Sequence, residues 1–284
     1  MKKFFKGLLL GMFMLSLSGC GEEALVNNDV YTTIYPTLYL TEFLYGEDRN
    51  VLSIYPSGAD VSSYELTDMQ KENYSKAGLF VYNGLTNEKE LAREFLNNNP
   101  ELLLIDVSYG LNYEYAIEEL WLSPNNYLML AKNIKNNLLD YTTSTVLKEN
   151  IEDRYKEIEE ELSFMDAELR SVAMEAKSDG NATLVVSSNK LLFLENYGFQ
   201  VIVLGDEENE SISELFDDGD VSDIYLCDID QKNDFITSLE SEYDANIINV
   251  DTMYTLTDEE ASGNKTYLTI MREFIDNIRN TTLG

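Results

Sequence analysis

No histidine and only two cysteines, Cys20 and Cys227, stand among the 284 residues, so the side chains that most often run nucleophilic or zinc chemistry are nearly absent. Imidazole is the commonest metal ligand and the only side chain whose ordinary pKa lies near neutrality, so its absence excludes histidine-based triads and dyads. Two thiols alone cannot build a tetrahedral thiolate zinc site, and they exclude a disulfide framework. What the chain has in quantity is carboxylate: 52 Asp and Glu against 20 Lys and Arg, a formal net charge of −32. Such a surface repels a polyanion, and affinity for nucleic acid comes from cationic side chains that release counterions, so nucleic acid is excluded as a partner. The densest acidic run, Asp206-Glu207-Glu208-Asn209-Glu210 followed by Asp217-Asp218-Gly219-Asp220, has calcium-loop composition. It lacks the twelve-residue EF-hand spacing and reads as a solvated loop.

The first cysteine has a different chemistry. Lys2, Lys3 and Lys6 precede an apolar run over residues 7–17, and Leu17-Ser18-Gly19-Cys20 follows it. That is the layout of a secretory signal, and small residues directly before a cysteine resemble a bacterial lipobox, whose thiol receives diacylglycerol and becomes the mature N-terminus. The run of ~11 apolar positions is shorter than the ~20 needed to span a bilayer. Residues 1–19 are expected to be removed and residues 20–29 to form a lipidated tether. The mature chain then keeps 17 basic and 52 acidic residues, net −35. Several acyl chains hold a protein stably at a membrane face.

The elements that would position a site alternate between strand and helix. Apolar, β-branched runs at 30–35, 51–55, 79–82 and 102–107 read as strands, with a helix at 36–45. The pattern recurs with strands at 182–187, 200–204, 224–227 and 245–250 and helices at 191–197, 231–243 and 266–280. This predicts an α/β fold of two lobes, each a mostly parallel sheet flanked by helices. Between them Ile151, Tyr155, Ile158, Leu162, Met165, Leu169, Val172 and Ala176 recur at steps of four and three, one apolar face of a helix. That helix, about thirty residues and ~45 Å long, is expected to be a rigid connector ending at Gly180, with a dimeric coiled coil as the other reading. The boundaries are an N-terminal lobe at 30–144, the connector at 145–179 and a C-terminal lobe at 180–284. The 19 tyrosines follow no repeat and suggest no carbohydrate platform.

Local sequence adds a resemblance. Thr33-Ile34-Tyr35-Pro36, Gly58-Ala59-Asp60-Val61-Ser62-Ser63-Tyr64-Glu65-Leu66-Thr67, Ala77-Gly78-Leu79-Phe80-Val81-Tyr82-Asn83-Gly84-Leu85 and Leu120-Trp121-Leu122-Ser123-Pro124 are similar to successive segments of one family. Tyr197-Gly198 and Tyr267-Leu268-Thr269-Ile270-Met271 with Asn277 continue the order to the C-terminus. The chain resembles the bacterial ABC-transporter receptors for zinc and manganese, the metal-binding solute-binding lipoproteins. The resemblance implies two α/β lobes joined by one long rigid helix, with a ligand cleft between them and little lobe motion.

In that family the metal is held by three histidines, or two and a carboxylate, plus an acid of the C-terminal lobe. The resemblance carries those positions onto Ser62, Glu119, Ser187 (or Ser188, depending on one gap) and Asp251. Three imidazoles have become two hydroxyls and a carboxylate, a donor set that suits magnesium, calcium and manganese better than zinc. Each position also has a structural reading. Ser62 and Ser63 would cap a turn, Glu119 would form a solvated pair with Glu118, Ser187-Ser188-Asn189 would be a loop or helix N-cap, and Asp251 would hydrogen-bond within the loop after a strand. Trp121 reads as packing, with an aromatic face that favours a cation.

The expected function is therefore capture and delivery without catalysis: a monomeric, lipid-anchored receptor on the extracytoplasmic face of the cell membrane. It would pass a divalent cation, manganese or zinc, to an ABC permease and its ATPase. An enzyme would need Glu119 and Asp251 as an acid–base pair, which the resemblance sets in a metal cleft without a sugar groove. The other reading is a degenerate receptor that binds no metal and acts on a non-metal ligand or as a surface interaction protein.

Overall fold

The structure, a computed structural model, describes residues 29–46, 50–205, 207 and 209–284. The signal segment, Cys20 and residues 20–28 of the expected tether lie outside the described residues, as do Asp206 and Glu208 of the acidic run. The N-terminal half runs β1 (Val30–Thr32), α1 (Tyr35–Tyr45), β2 (Val51–Ser53), α2 (Asp68–Tyr74), β3 (Leu79–Tyr82), α3 (Glu88–Asn98), β4 (Leu103–Asp106), α4 (Glu119–Leu122) and α5 (Pro124–Tyr141). After α6 (Thr145–Asp179) come β5 (Thr183–Val186), a 3-10 segment (Asn189–Tyr197), β6 (Gln200–Val203), α7 (Glu210–Asp217), β7 (Asp223–Cys227), α8 (Asp234–Tyr243), β8 (Asn246–Val250), α9 (Asp258–Ser262) and α10 (Tyr267–Leu283).

Short strands such as Leu-Phe-Val-Tyr in β3 and Thr-Leu-Val-Val in β5 are apolar on both faces. They belong to parallel sheets covered by helices on each side. Among the described residues the strands form two four-stranded parallel sheets, ordered β2-β1-β3-β4 and β6-β5-β7-β8. In each lobe the first strand is flanked on both sides, Val30 by Val51 and Leu79, and Val185 by Ile202 and Ile224. That order reverses beside β1 and beside β5, and in open parallel sheets ligands bind beyond the carboxyl ends of strands at such a switch point.

Helix α6 is the two-lobe connector. Its start is capped by Ser144, whose side chain accepts the Leu147 N–H at 3.3 Å. Its end is turned by Gly180 at φ 84°, a left-handed conformation that glycine adopts without steric cost. The predicted stripe from Ile151 to Ala176 is buried throughout, each large apolar side chain contributing roughly 1.5–3 kcal/mol. The Arg154 guanidinium donates to the Phe43 carbonyl at 3.0 Å, and Arg272 of α10 meets Glu161 at 2.5 Å, so charged residues tie the helix to elements on either side. One hydrophobic core runs through both lobes, with Tyr127 and Tyr267 stacked at 3.7 Å between ring centroids, and a smaller core lies in the C-terminal lobe around Phe216, Ile224 and Phe235.

Three local differences from the sequence reading have physical reasons. The first strand stops at Thr32 because Pro36 opens α1, and a proline in the first turn pre-sets helical φ. The expected helix at 191–197 is wound as a 3-10 segment, in which i and i+3 eclipse, so Leu191 and Leu194 both turn inward. The eighteen-residue α5 was not singled out in sequence, although Tyr127, Leu130, Ala131, Ile134 and Leu138 form a buried stripe among its asparagines and lysines.

Candidate functional site

The lobes are joined directly beyond the ends of their strands. After β8 the chain crosses to the N-terminal lobe, where the Leu256 carbonyl accepts from the Ser57 hydroxyl at 2.8 Å and the Gly58 N–H at 3.1 Å. The Trp121 indole N–H donates to the Thr252 carbonyl at 2.8 Å, and the Tyr267 hydroxyl donates to the Trp121 carbonyl at 2.6 Å. The Tyr254 hydroxyl donates to Glu118 Oε1 at 2.8 Å. Trp121 is 1% exposed, so its part in the site is packing and two hydrogen bonds across the lobes. These contacts frame an inter-lobe cavity of about 970 Å³, with Asp60, Ser62 and Glu88 on one wall and Asp228, Asp251, Glu260 and Lys265 on the other.

Of the four ligand positions carried over from sequence, Ser62 and Asp251 line this cavity, and Glu119 and Ser187 do not. Ser62 is exposed, and its hydroxyl and N–H both donate to Asp60 Oδ1, at 2.6 and 2.9 Å. Asp251 follows β8; its Oδ1 accepts the Met253 N–H at 2.7 Å in a tight turn where Met253 takes φ 58°. Its Oδ2 is buried and accepts from no donor, and the Glu260 carboxylate lies within hydrogen-bond reach of the Asp251 side chain. Glu119 opens α4 and is 5% exposed, with its two oxygens accepting the N–H groups of Glu114 and Tyr115 at 2.8 and 3.2 Å. It is neither solvated nor paired with Glu118. Ser187, just past β5, donates to Asp230 Oδ2 at 2.7 Å and accepts the Cys227 N–H at 3.1 Å. Ser188 accepts from the Lys190 ammonium at 3.3 Å.

The cavity is electrostatically negative, with Asp60, Glu88, Asp228, Asp251, Glu260 and Glu273 against Lys265. Burial pushes the Asp251 carboxyl up to about 6; the Met253 N–H works against the shift, and the charges of Asp228 and Glu260 add to it. Burial likewise raises Glu88 to about 7, although the Asn83 N–H donates to its Oε2 at 2.7 Å. Three residues important to this region were not singled out in sequence: Glu88, Asp228 and Lys190. Asp228 fixes the far wall by accepting the Thr252 N–H at 2.9 Å and its hydroxyl at 2.6 Å. A signal was present for Asp228, an acid directly after the apolar run of β7 and therefore at a strand's carboxyl end.

A protein-family model described as "ZnuA: Zinc-uptake complex component A periplasmic" matches residues 30–281. The chain belongs to this family. Its members are substrate-binding transport proteins that bind zinc or manganese and work with ABC permeases and ATPases. Solved structures share the ZnuA-like fold at low identity. The metal-dependent lipoprotein YcdH of Bacillus subtilis is 22% identical, with a TM-score of 0.75 and a match covering 90% of this chain and 100% of that one. The Zn(II)-bound ZnuA-like domain of Streptococcus pneumoniae AdcA is 19% identical over 90% of this chain and 98% of that one, TM-score 0.72. The laminin-binding protein Lmb of Streptococcus agalactiae, described as a bifunctional adhesin and metal transporter, is 18% identical over 90% and 99%, TM-score 0.71.

Within this ZnuA-family fold, an imidazole-based zinc centre does not fit the residues present, since the chain has no histidine. Among the described residues no three of His, Cys, Asp or Glu gather as a metal-binding group. The cavity instead offers carboxylate and hydroxyl oxygens and room for water, the donor set of hard cations. No helix among the described residues is long and apolar enough to cross a membrane.

Proposed function

We propose that this chain is the extracytoplasmic solute-binding component of an ABC importer, and that it takes a divalent cation into its inter-lobe cavity and hands it to a membrane permease. The observation that carries this reading is Asp251 Oδ2, a buried acceptor that meets no donor on the wall of that cavity, with the Glu260 carboxylate within hydrogen-bond reach of Asp251. An unpartnered buried carboxylate oxygen is costly unless a cation or a proton completes it. Asp251 then anchors the ion, Ser62 supplies a hydroxyl at the rim, and water fills the other positions. Glu119 and Ser187, engaged elsewhere and outside the cavity, do not touch the ion. Oxygen donors and retained water are the ligand type that suits manganese, whose selection over zinc then rests on geometry and metal availability rather than on raw affinity. The chain is monomeric and is held at the membrane face by lipid on Cys20. Equilibrium dialysis of the chelator-stripped protein against Mn²⁺, in wild type and Asp251→Asn, tests it: saturable retention near one ion per chain in the wild type and none in the variant supports the reading, and no retention, or equal retention in both, overturns it.

The second reading, a receptor that has given up metal for another ligand or a surface partner, is favoured by one specific observation. The oxygens of Glu119 and Ser187 are engaged within the protein, which leaves two of the four carried-over positions at the cavity.

A further inference from the structure

The cleft contains a second polar cluster, apart from the Asp251 cavity, built around a lysine. The Lys190 ammonium meets Asp230 Oδ1 at 2.6 Å and Ser188 Oγ at 3.3 Å, and the other Asp230 oxygen holds the Ser187 hydroxyl. The two charged side chains are 17% and 16% exposed. The charge of Glu118 in the N-terminal lobe, 5% exposed, favours the charged ammonium from beyond ion-pair distance, while its own Oε1 accepts from Tyr254. In a chain with 52 acids and 20 bases, one ammonium thus sits between a carboxylate oxygen of Asp230 and the hydroxyl of Ser188, in the wider negative field of Glu118. Burial opposes its charge, yet the hydrogen bond and charge of Asp230 keep Lys190 protonated, and Asp230 in turn is held below the usual carboxylate range.

We infer that Lys190 is a tethered cation: it fills the positive position beside Asp230 that a free ion would otherwise take, and so determines which part of the cleft is closed to divalent cations. A +2 ion brought beside the fixed ammonium meets direct repulsion at low effective dielectric, and the carboxylate it needs is already paired. Ser187 and Ser188 are locked into the same cluster, which accounts for their absence from the Asp251 cavity. This goes beyond the cation-receptor reading and does not depend on it, because Lys190 and Asp230 do not line that cavity.

The test is made in the mature chain carrying Cys20→Ser and Asp251→Asn, so that an ion in the Asp251 cavity contributes nothing. Adding Lys190→Met removes the charge and most of the hydrogen bonding while keeping the stem. The expected result is a lower melting temperature together with a new, saturable rise on adding Mn²⁺, absent with Lys190 in place and absent with Lys190→Arg. Further addition of Asp230→Asn abolishes the Mn²⁺ response. Should Lys190→Met fail to fold, Lys190→Gln keeps a polar tip for Asp230 without the charge and carries the same expectation. No Mn²⁺ response in either uncharged variant, or a response that survives Asp230→Asn, overturns the inference. Failure of the Asp251 site is read separately, in chains that keep Lys190.

Discussion

Glu118 and Glu119 are neighbours in sequence, equally buried, and turn to opposite tasks. Glu118 accepts a hydrogen bond from Tyr254 across the lobes at 2.8 Å, whereas Glu119 turns back along its own loop to hold the N–H groups of Glu114 and Tyr115. The rotation of one residue at the start of α4 decides which carboxylate reaches the cleft. Glu119→Ala leaves two N–H donors unpaired, and is expected to lower stability by about 2–4 kcal/mol in urea unfolding. Cation retention in the folded fraction is expected to stay unchanged.

Trp121 carries two hydrogen bonds across the lobes, donating to Thr252 and accepting from Tyr267. Trp121→Phe removes the first and Tyr267→Phe the second. Each leaves a buried carbonyl without its partner, at a cost of about 1–3 kcal/mol. The two changes share one residue, so the double variant is expected to depart from additivity, as a double-mutant cycle by urea unfolding would measure.

The carboxyl of Glu88 is 3% exposed and raised to about 7 by burial. A carboxyl raised on folding binds its proton more tightly in the native state, so its stabilisation is present at pH 4 and lost as pH rises through about 7. Glu88→Gln removes this dependence. The stability difference, variant minus wild type, is expected to grow in the variant's favour between pH 4.5 and 7.5, on the order of 3 kcal/mol at most. Asp251→Asn changes the profile in the same direction around pH 6, by less because Asp251 keeps contact with solvent.

Much of the fold was readable because it is written in local periodicity. The stripe from Ile151 to Ala176 dictates a helix with one buried face, and the apolar runs at β3, β5 and β7 dictate strands covered on both sides. Helix α5 escaped because its stripe is diluted by Asn125, Asn126, Lys132, Asn133, Lys135, Asn136 and Asn137. The site was readable as a set of strand ends and unreadable in its side-chain directions. Ser187 finds Asp230 forty-three positions away and Lys190 finds it forty away, and nothing local in the sequence encodes either pairing. The same holds for Glu118 and Tyr254, which lie 136 positions apart.

Lipid attachment at Cys20 has its own test. Cells expressing the chain are labelled with a fatty acid and fractionated. The wild-type chain is expected to carry label and to pellet with membranes, and Cys20→Ser to lose the label and the stable membrane association.

The central claim is that Asp251 anchors a cation in the inter-lobe cavity. Melting of the chelator-stripped mature chain with and without Mn²⁺, in wild type and Asp251→Asn, tests it most directly. At about 100 times the dissociation constant, binding to the folded state contributes about 2.7 kcal/mol, roughly 5 °C or more for a chain of this size. The account predicts a saturable rise of that order in the wild type and none in Asp251→Asn. No rise with Mn²⁺, or an equal rise in both proteins, would contradict it.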